Sequence, residues 1–224
     1  MKEYHKIQTV FKRDPATNFK TLLEYDWSES EFGFLADNDW VWTEKVDGTN
    51  IRVMLSDYRE QGKAYGVTFG GKTDAAQIPA FLVTKLQERF HSDDARKKLA
   101  DMFPEGACLY GEGYGAKIQK GGGNYRQDQD FVLFDVKVGE WWLRRADVEN
   151  IGRDLGLDVV PIIGGGPLHS MVEKTRAGFK SQWGDFISEG IVARPATELR
   201  TRNGHRIITK IKHSDFFRQA RVAA

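Results

Sequence analysis

The chain has 224 residues, of which 40% are hydrophobic and 29% charged, and its formal net charge at pH 7 is +1. This length can bury a sizeable core, and the near-neutral charge excludes a uniformly basic nucleic-acid-binding protein. The single cysteine, Cys108, excludes a disulfide framework and a zinc cluster and is typical of a reducing compartment. We therefore expect a cytoplasmic protein without a signal peptide or membrane span.

The first predicted strands lie on either side of the dipeptide Asp47-Gly48. Residues 40–55 alternate between apolar and polar side chains before and after it, which predicts strand, turn and strand. Lys45 stands between the first strand and the turn. It is either a surface charge beside a hairpin or an amine placed to react. A lysine amine attacks only when it is neutral, and apolar surroundings favour the neutral form.

Helices are predicted in the middle of the chain. Residues 76–90 carry apolar side chains at helical spacing. Ser92 can cap a second helix that runs through Phe103, because its hydroxyl accepts hydrogen bonds from free backbone N–H groups. The remaining predicted helices are 146–155, ending at Gly156, where glycine can adopt a left-handed conformation, and 167–177.

The rest of the sequence indicates strands. They are a short buried strand over 107–113, a hairpin over 131–143 around Gly139-Glu140, and strands over 158–163, 189–195 and 205–213. Strands dominate, and helices do not alternate strictly with them. This order favours an α+β fold of mostly antiparallel sheets with flanking helices over a doubly wound parallel sheet.

Several of these segments carry candidate functional side chains. "LYGEGYG" places Glu112 at a strand end among glycines that let a ligand approach closely. "FVLFDV" places Phe134 and Asp135 on opposite faces of an alternating strand, and "SEGIVARP" places Glu189 directly before an apolar strand. Taken singly, Glu112 could instead be a turn residue, and Phe134 could be ordinary core.

Basic residues are concentrated near the C-terminus. Lys210 and Lys212 lie two apart on one predicted strand, hence on one face, where two ammonium groups repel each other unless anions lie between them. The phosphates of ATP or of a nucleic acid could be those anions. A solvated edge that resists aggregation is the alternative. The eight basic residues from position 194 to the end are Arg194, Arg200, Arg202, Arg206, Lys210, Lys212, Arg218 and Arg221.

A glycine-rich basic segment covers residues 115–130 and contains Lys117, Lys120 and Arg126. It lacks the residue order of a phosphate-binding P-loop. The segment could clamp nucleic acid or a triphosphate, or it could be a plain surface loop.

Five segments, in chain order, resemble motifs I, III, IIIa, IV and V of the covalent nucleotidyltransferases, the superfamily of ATP-dependent ligases and mRNA capping enzymes. They are "EKVDGTN", "LYGEGYG", "FVLFDV", "SEGIVA" and "KIK". Asn50, five residues after Lys45, makes the first motif most similar to the phage-type RNA ligase 2 family, because DNA ligases and capping enzymes usually carry arginine there. The resemblance implies a nucleotidyltransferase fold, an ATP-grasp-like ligase catalytic domain.

The resemblance also implies a three-step reaction. A lysine attacks the α-phosphate of ATP, AMP passes to a 5′-phosphate end, and a 3′-hydroxyl displaces AMP and seals the strand. The implied cofactors are ATP and Mg²⁺ or Mn²⁺, and the implied partners are RNA or a nicked duplex. A phage-type enzyme would act in RNA repair, in the host cytoplasm if it is viral.

The resemblance also implies which residues of each motif form the site. The implied catalytic residues are Lys45, Glu189, Lys210 and Lys212. The implied roles are Lys45 as nucleophile, Glu44 and Val46 beside the adenine, Asn50 on the substrate or phosphate, Glu112 on the ribose, Phe134 stacked on the adenine, Glu189 at the metal, and Lys210 and Lys212 on the phosphates.

Two departures from the family pattern matter. Lys72, which the resemblance implies as a cofactor-binding residue, stands in the motif Ia region where the family usually has an arginine, and it lacks the forked guanidinium. The sequence ends 12 residues after Lys212. We therefore expect one adenylyltransferase domain over 1–224, with no room for an OB-fold or a C-terminal helical domain, whose place a partner protein could take.

Two other functions stay open at this point. A minimal ATP-dependent DNA nick ligase would share most of these motifs, and Asn50 argues against it. A non-catalytic module that binds nucleic-acid ends would not need the intact Lys45, Glu112, Glu189 and Lys212.

Overall fold

The computed structural model describes residues 3–56 and 65–220, without the side chains of 218–220. Contacts divide the chain into two compact units. The described part of the first unit is 3–5, 47–56 and 65–160, and that of the second unit is 6–46 with 161–220. The expectation of a single adenylyltransferase domain stays a prediction. No helix among the described residues is long and apolar enough to cross a membrane.

The secondary structure mixes short helices with strands. The strands are β1 (Gln8–Thr9), β2 (Phe11–Arg13), β3 (Leu22–Trp27), β4 (Trp40–Glu44), β5 (Thr49–Ser56), β6 (Gly66–Gly70), β7 (Ala107–Gly115), β8 (Gln129–Val138), β9 (Trp141–Trp142), β10 (Asp158–Val159), β11 (Ile162–Gly166), β12 (Gly190–Pro195) and β13 (Thr209–Lys212). The helices are α1 (Ser30–Phe34), α2 (Ala80–Phe90), α3 (Asp93–Met102), α4 (Arg145–Leu155), α5 (Leu168–Ala177) and α6 (His213–Ala220).

The first unit is built on a sheet with the strand order β10-β8-β7-β5-β6, and β9 pairs with β8. All pairs are antiparallel except β10 with β8. Period-two alternation on β5 buries Ile51, Val53 and Leu55 completely. The helix α2 buries Leu82 and Leu86 in the same core, so the first unit has a hydrophobic core of its own.

The second unit is built on a sheet with the order β1-β13-β12-β4-β11, in which only β1 with β13 is parallel. Its core contains Trp40 and Trp42 from β4, Ile191 from β12 and Met171 from α5. A two-stranded sheet of β2 and β3 completes the unit. The mixed α+β prediction with mostly antiparallel sheets is confirmed by both units.

The strands around Asp47-Gly48 are present, but the predicted hairpin is wrong. The strand β4 pairs with β11 and β12, whereas β5 pairs with β6 and β7. The backbone N–H of Lys45 still donates to Gly190 O at 2.9 Å, which extends the pairing of β4 with β12. The segment 45–48 is therefore a connection between two sheets rather than a tight turn.

The prediction of a single strand over 158–163 is also wrong. Pro161 interrupts it, because proline has no backbone N–H for a sheet ladder. The residues before it form β10 in the first sheet, and those after it form β11 in the second. The predicted strand over 205–213 is shortened to β13.

Local signals located most of the other elements. The Ser92 hydroxyl accepts from Ala95 N–H at 3.2 Å and caps α3 as predicted. Gly156 ends α4 with a left-handed φ of 63°, and the hairpin between β8 and β9 turns at Gly139, where φ is 54°. The helix α2 begins at Ala80 instead of residue 76, since Pro79 precedes it.

One buried carboxylate ties three parts of the first unit together. Asp130, on β8, is 1% exposed and pairs with Arg89 of α2 and with Arg126, whose Nη1 donates to it at 2.6 Å. Burial alone would raise the pKa of this carboxyl. The hydrogen bonds from Arg89 and from the Phe131 backbone, with the positive charges of both arginines, lower the pKa below its usual value.

Asp130→Asn should lower the free energy of unfolding at pH 7 by about 3–5 kcal/mol, because it breaks a buried ion pair. The folded-state pKa of Asp130 is depressed, so its stabilisation is present above the unfolded-state pKa of about 3.9 and is lost as pH falls through the folded value. Urea unfolding at pH 7, 5 and 3 should show the deficit shrink below pH ~4. The exposed Asp101→Asn serves as the control. An equal deficit at pH 7 and pH 3 would contradict this account.

Candidate active site

The second unit brings Lys45, Glu189 and Lys212 together. Lys45 Nζ donates to Glu189 Oε2 at 2.5 Å, and Lys212 Nζ donates to Glu189 Oε1 at 2.5 Å. The side chains of Lys45 and Glu189 are only 18% and 13% exposed, and that of Lys212 is 38% exposed. One carboxylate therefore bridges two ammonium groups.

Strand register explains how residues so far apart in sequence meet. The strand β12 lies between β4 and β13, with Ile191 opposite Glu44 and Gly190 opposite Lys212. Glu189 directly precedes β12, and its backbone O accepts from His213 N–H at 2.9 Å. A Cβ at Gly190 would lie 2.1 Å from Ile211 O. Only glycine fits this approach, so the register around Glu189 depends on it.

Lys210 lies two residues before Lys212 on β13. It pairs in register with Val192 of β12, and the alternation of the strand puts both lysines on the same face. The predicted shared face is confirmed. Glu189 supplies an anion beside Lys212.

The side chain of Glu44 is almost fully buried, at 1% exposure. Its Oε2 accepts from Gln182 N–H at 2.9 Å, whereas its buried Oε1 has no hydrogen-bond partner within the described ranges. A buried acceptor without a donor is costly and needs an explanation. Alternation along β4 puts the Glu44 side chain on the face of Trp42, opposite to that of Lys45. Val46 is 2% exposed.

Asn50 and Glu112 face each other in the first unit. They are directly paired on β5 and β7. Nothing in the described part of the chain hydrogen-bonds to the buried Asn50 Oδ1. Gly48 packs against the same place, since a Cβ on it would lie 2.5 Å from Gly113 O and 3.3 Å from Glu112 Oε2. The first unit thus gathers two of the predicted site residues at one pair of strands.

Phe134 and Asp135 do not point to opposite faces, contrary to the prediction. The ladder between β7 and β8 shifts from Tyr110–Asp135 to Gly111–Leu133, which leaves Phe134 as the extra residue of a β-bulge. Both side chains then contact Tyr4. The Tyr4 hydroxyl donates to Asp135 Oδ2 at 2.6 Å, and its ring meets the half-buried Phe134 ring edge-on at 5.0 Å.

Lys72 is exposed in the loop after β6. The sequence interpretation overlooked Arg52, whose side chain is completely buried and shapes this loop. Its Nε donates to Gly71 O at 2.9 Å, and its Nη2 donates to Asp74 Oδ1 at 2.7 Å. An arginine inside the apolar strand β5 was the available signal.

The glycine-rich segment 115–130 contacts the connection after Lys45. The Tyr125 hydroxyl accepts from Asp47 N–H at 3.1 Å, and Gln119 Nε2 donates to Gly48 O at 3.2 Å. Arg126 is held by carboxylates, chiefly through a hydrogen bond to Asp128, which raises its pKa. Arg126 is thus already paired, while Lys117 and Lys120 remain exposed. The sequence interpretation missed the tyrosine and the glutamine because neither lies in a recognisable motif.

Comparison with known proteins assigns the family. The family described as RNA ligase matches residues 38–212, which include β4, β12 and β13 with the Lys45–Glu189–Lys212 cluster. The chain belongs to the RNA ligase family. No curated protein sequence matches it.

Solved RNA ligase structures from Naegleria gruberi share the fold. A mutant with ATP and Mn is 16% identical, with a TM-score of 0.65, 99% of this chain covered and 58% of that chain. The ligase with PPi is 15% identical, with a TM-score of 0.62 and coverages of 98% and 60%. A mutant with AMP and Mn is 15% identical, with a TM-score of 0.62 and coverages of 97% and 59%. The predicted nucleotidyltransferase type of fold is confirmed. The chain spans less than two thirds of the length of these relatives.

Gly48→Ala should lower the free energy of unfolding by about 1–3 kcal/mol, because the added Cβ would overlap the Gly113 carbonyl and force a backbone shift. Gly123→Ala is the matched control, since a Cβ there meets nothing within 4 Å. Urea unfolding of both variants measures the difference. A Gly48→Ala protein as stable as the control would contradict the close approach of the connection to β7.

Proposed function

We propose that the protein is an ATP-dependent RNA ligase that works through a lysyl-AMP intermediate on Lys45. The observation that carries the proposal is the Lys45–Glu189–Lys212 cluster, a half-buried amine beside one carboxylate and a second cation, within the segment that matches the family. Phosphoryl transfer depends mainly on positioning and on neutralising charge, and this cluster is suited to both.

In the first step, the Lys45 nitrogen attacks the α-phosphorus of ATP. An N–P bond forms, the bond from that phosphorus to the bridging oxygen breaks, pyrophosphate leaves, and the amine loses a proton. An ammonium cannot attack, so Lys45 must first give up a proton, and the Glu189 carboxylate at 2.5 Å is placed to accept it. Lys212, on the other oxygen of the carboxylate, is placed to neutralise phosphate charge.

The later steps regenerate the lysine. The 5′-phosphate of the polynucleotide attacks the phosphorus of lysyl-AMP, which forms a pyrophosphate linkage and releases the Lys45 amine. A 3′-hydroxyl then attacks the 5′-phosphorus, a phosphodiester forms, and AMP leaves. We propose RNA ends or a nicked duplex as the substrate, with family membership as the support.

A divalent ion would bind mainly through the nucleotide. No group of three or more His, Cys, Asp or Glu side chains in the described ranges could hold a metal. Mg²⁺ commonly binds one or two carboxylates together with substrate phosphates, and Glu189 suits that arrangement. Such an ion supplies neutralisation of phosphate charge. The Naegleria gruberi ligases with ATP and Mn or AMP and Mn support ATP and a divalent ion as the reactants.

We propose adenine as the base, with family membership as the support. Glu44 and Val46 are proposed to flank it. The buried Oε1 of Glu44 could accept from the 6-amino group of adenine only if the side chain moved, because alternation puts it on the face opposite to Lys45. Phe134, on the β8 bulge, is proposed to stack on the base, and Glu112 to contact the ribose. Asn50, through its free Oδ1, is proposed to contact the substrate or the phosphate, Lys72 to bind the cofactor, and Lys210 to contact the phosphates.

Lys45→Ala should fold normally and take up no label from α-labelled ATP, because it removes the attacking nitrogen. Wild type should form an adduct that is labile in acid and stable in alkali, as a phosphoramide is. The exposed Lys97→Ala should label like wild type. Gel autoradiography with peptide mapping measures this, and label on any other residue would remove Lys45 from its role.

The same labelling assay tests the choice of nucleotide. GTP should label the protein poorly, and equal labelling would remove Glu44 and Phe134 from base recognition.

A strand-joining assay tests the choice of polynucleotide. Sealing of 5′-phosphate ends should be faster with RNA 3′-hydroxyl strands than with DNA strands. The reverse order would favour a DNA nick ligase.

A further inference from the structure

Asp215 is a buried carboxylate that the proposed chemistry does not use. It lies three residues after Lys212, beyond the segment that matches the family, and is 1% exposed. Both of its oxygens have partners. Oδ1 accepts from Arg13 Nη2 at 2.8 Å, and Oδ2 accepts from the backbone N–H of Lys212 at 3.1 Å. Arg13, at the end of β2, is also outside the matched segment.

The hydrogen bond to Lys212 marks the point where β13 ends. The neighbouring strand β1 pairs with β13 only at Thr209 and Lys210. The N–H of Lys212 therefore lies past the end of β1 and needs another acceptor. Asp215 provides it by reaching back from the third residue of α6 to the residue before the helix, as in a helix capping box.

This contact fixes the backbone from which a functional ammonium extends. Lys212 has a flexible four-carbon side chain that is 38% exposed, so its charge is placed by Glu189 at one end and by the main chain at the other. The Glu189 backbone is hydrogen-bonded to the residue that follows Lys212, since His213 N–H donates to Glu189 O at 2.9 Å. Arg13 orients the carboxylate and compensates its buried charge.

We propose that Asp215, oriented by Arg13, is a positioning residue for Lys212. It holds the Lys212 backbone in the place from which the ammonium reaches Glu189 and, in the reaction, the phosphates. The kinetic part of this inference rests on the proposed function. A purely structural cap would change only the stability of α6 and the fraction of folded protein.

Single-turnover adenylylation of the full chain separates the two roles. Asp215→Ala should lower the rate constant at saturating ATP by about 10- to 100-fold, since small misplacements of a catalytic group cost that much, and Arg13→Ala should lower it less. The drop should appear in the rate constant rather than in the KM for ATP, because the Lys212 charge acts on the transition state. The charge-swapped pair Arg13→Asp with Asp215→Arg should not recover the rate, because arginine cannot accept the Lys212 N–H.

The matched control is Glu198→Ala, which breaks the pair of the buried Arg206 with the partly exposed Glu198 in the same unit. It should lower the melting temperature and the reaction amplitude yet leave the rate constant unchanged. An Asp215→Ala rate constant within about twofold of wild type, with a lowered melting temperature, would overturn the proposal, because twofold is far less than misplacement costs.

A second measurement is independent of activity. Amide hydrogen exchange of Lys212 should be at least about 10-fold faster in Asp215→Ala, because local opening no longer breaks this hydrogen bond, and unchanged in Glu198→Ala. If wild type formed no lysyl-AMP, the proposed function would fail, and this measurement would still decide whether Asp215 holds Lys212. Unchanged exchange in Asp215→Ala would overturn that.

Discussion

The carboxylate of Glu189 lies between the ammonium groups of Lys45 and Lys212, 2.5 Å from each. Taking charges out of water costs several kcal/mol per ion unless each is paired. The side chains of Glu189 and Lys45 are only 13% and 18% exposed. Removing Glu189 would leave two ammonium groups without their shared carboxylate, whereas removing Lys45 would leave Glu189 paired with Lys212. The cluster carries a net positive charge, which suits the binding of phosphates and keeps an amine next to the place where they would bind.

The sheet of the second unit holds the three residues of this ion cluster in place. Its three residues are brought together only because β12 lies between β4 and β13 in one register, and a one-residue slip would turn the side chains to the other face. Gly190 allows β12 to approach the Ile211 carbonyl of β13 closely. The Asp215 side chain accepts from the N–H of Lys212, where β13 ends. The large apolar side chains of the opposite face, Trp42 and Ile191 among them, specify that register by burial.

The sequence motifs drew attention to three charged residues that the fold brings together, and each lies at a strand end that alternation and glycines reveal; their roles stay a prediction. Lys45, Glu189 and Lys212 are close together as the motif series suggested. Pairing between strands was not predictable, since Asp47-Gly48 has the composition of a hairpin turn but connects two different sheets. The bulge at Phe134 was equally hidden, because it depends on how β7 and β8 align rather than on the local sequence.

Contacts between distant charged residues were the other part that the sequence could not give. Arg13 and Asp215 are 202 positions apart, and Arg52 and Asp74 meet through a loop. Both pairs depend on the folded topology, and a single sequence does not reveal which acid meets which base.

The most direct test of this account is a double-mutant cycle between Lys45→Met and Glu189→Gln, measured as the free energy of unfolding in urea without nucleotide. Partners in one buried ion pair should show a coupling of about 0.5–3 kcal/mol. The cycle of Glu189→Gln with the exposed Lys97→Met, in the other unit, should show a coupling near zero. Additive effects of Lys45→Met and Glu189→Gln would contradict the shared carboxylate at the centre of the site.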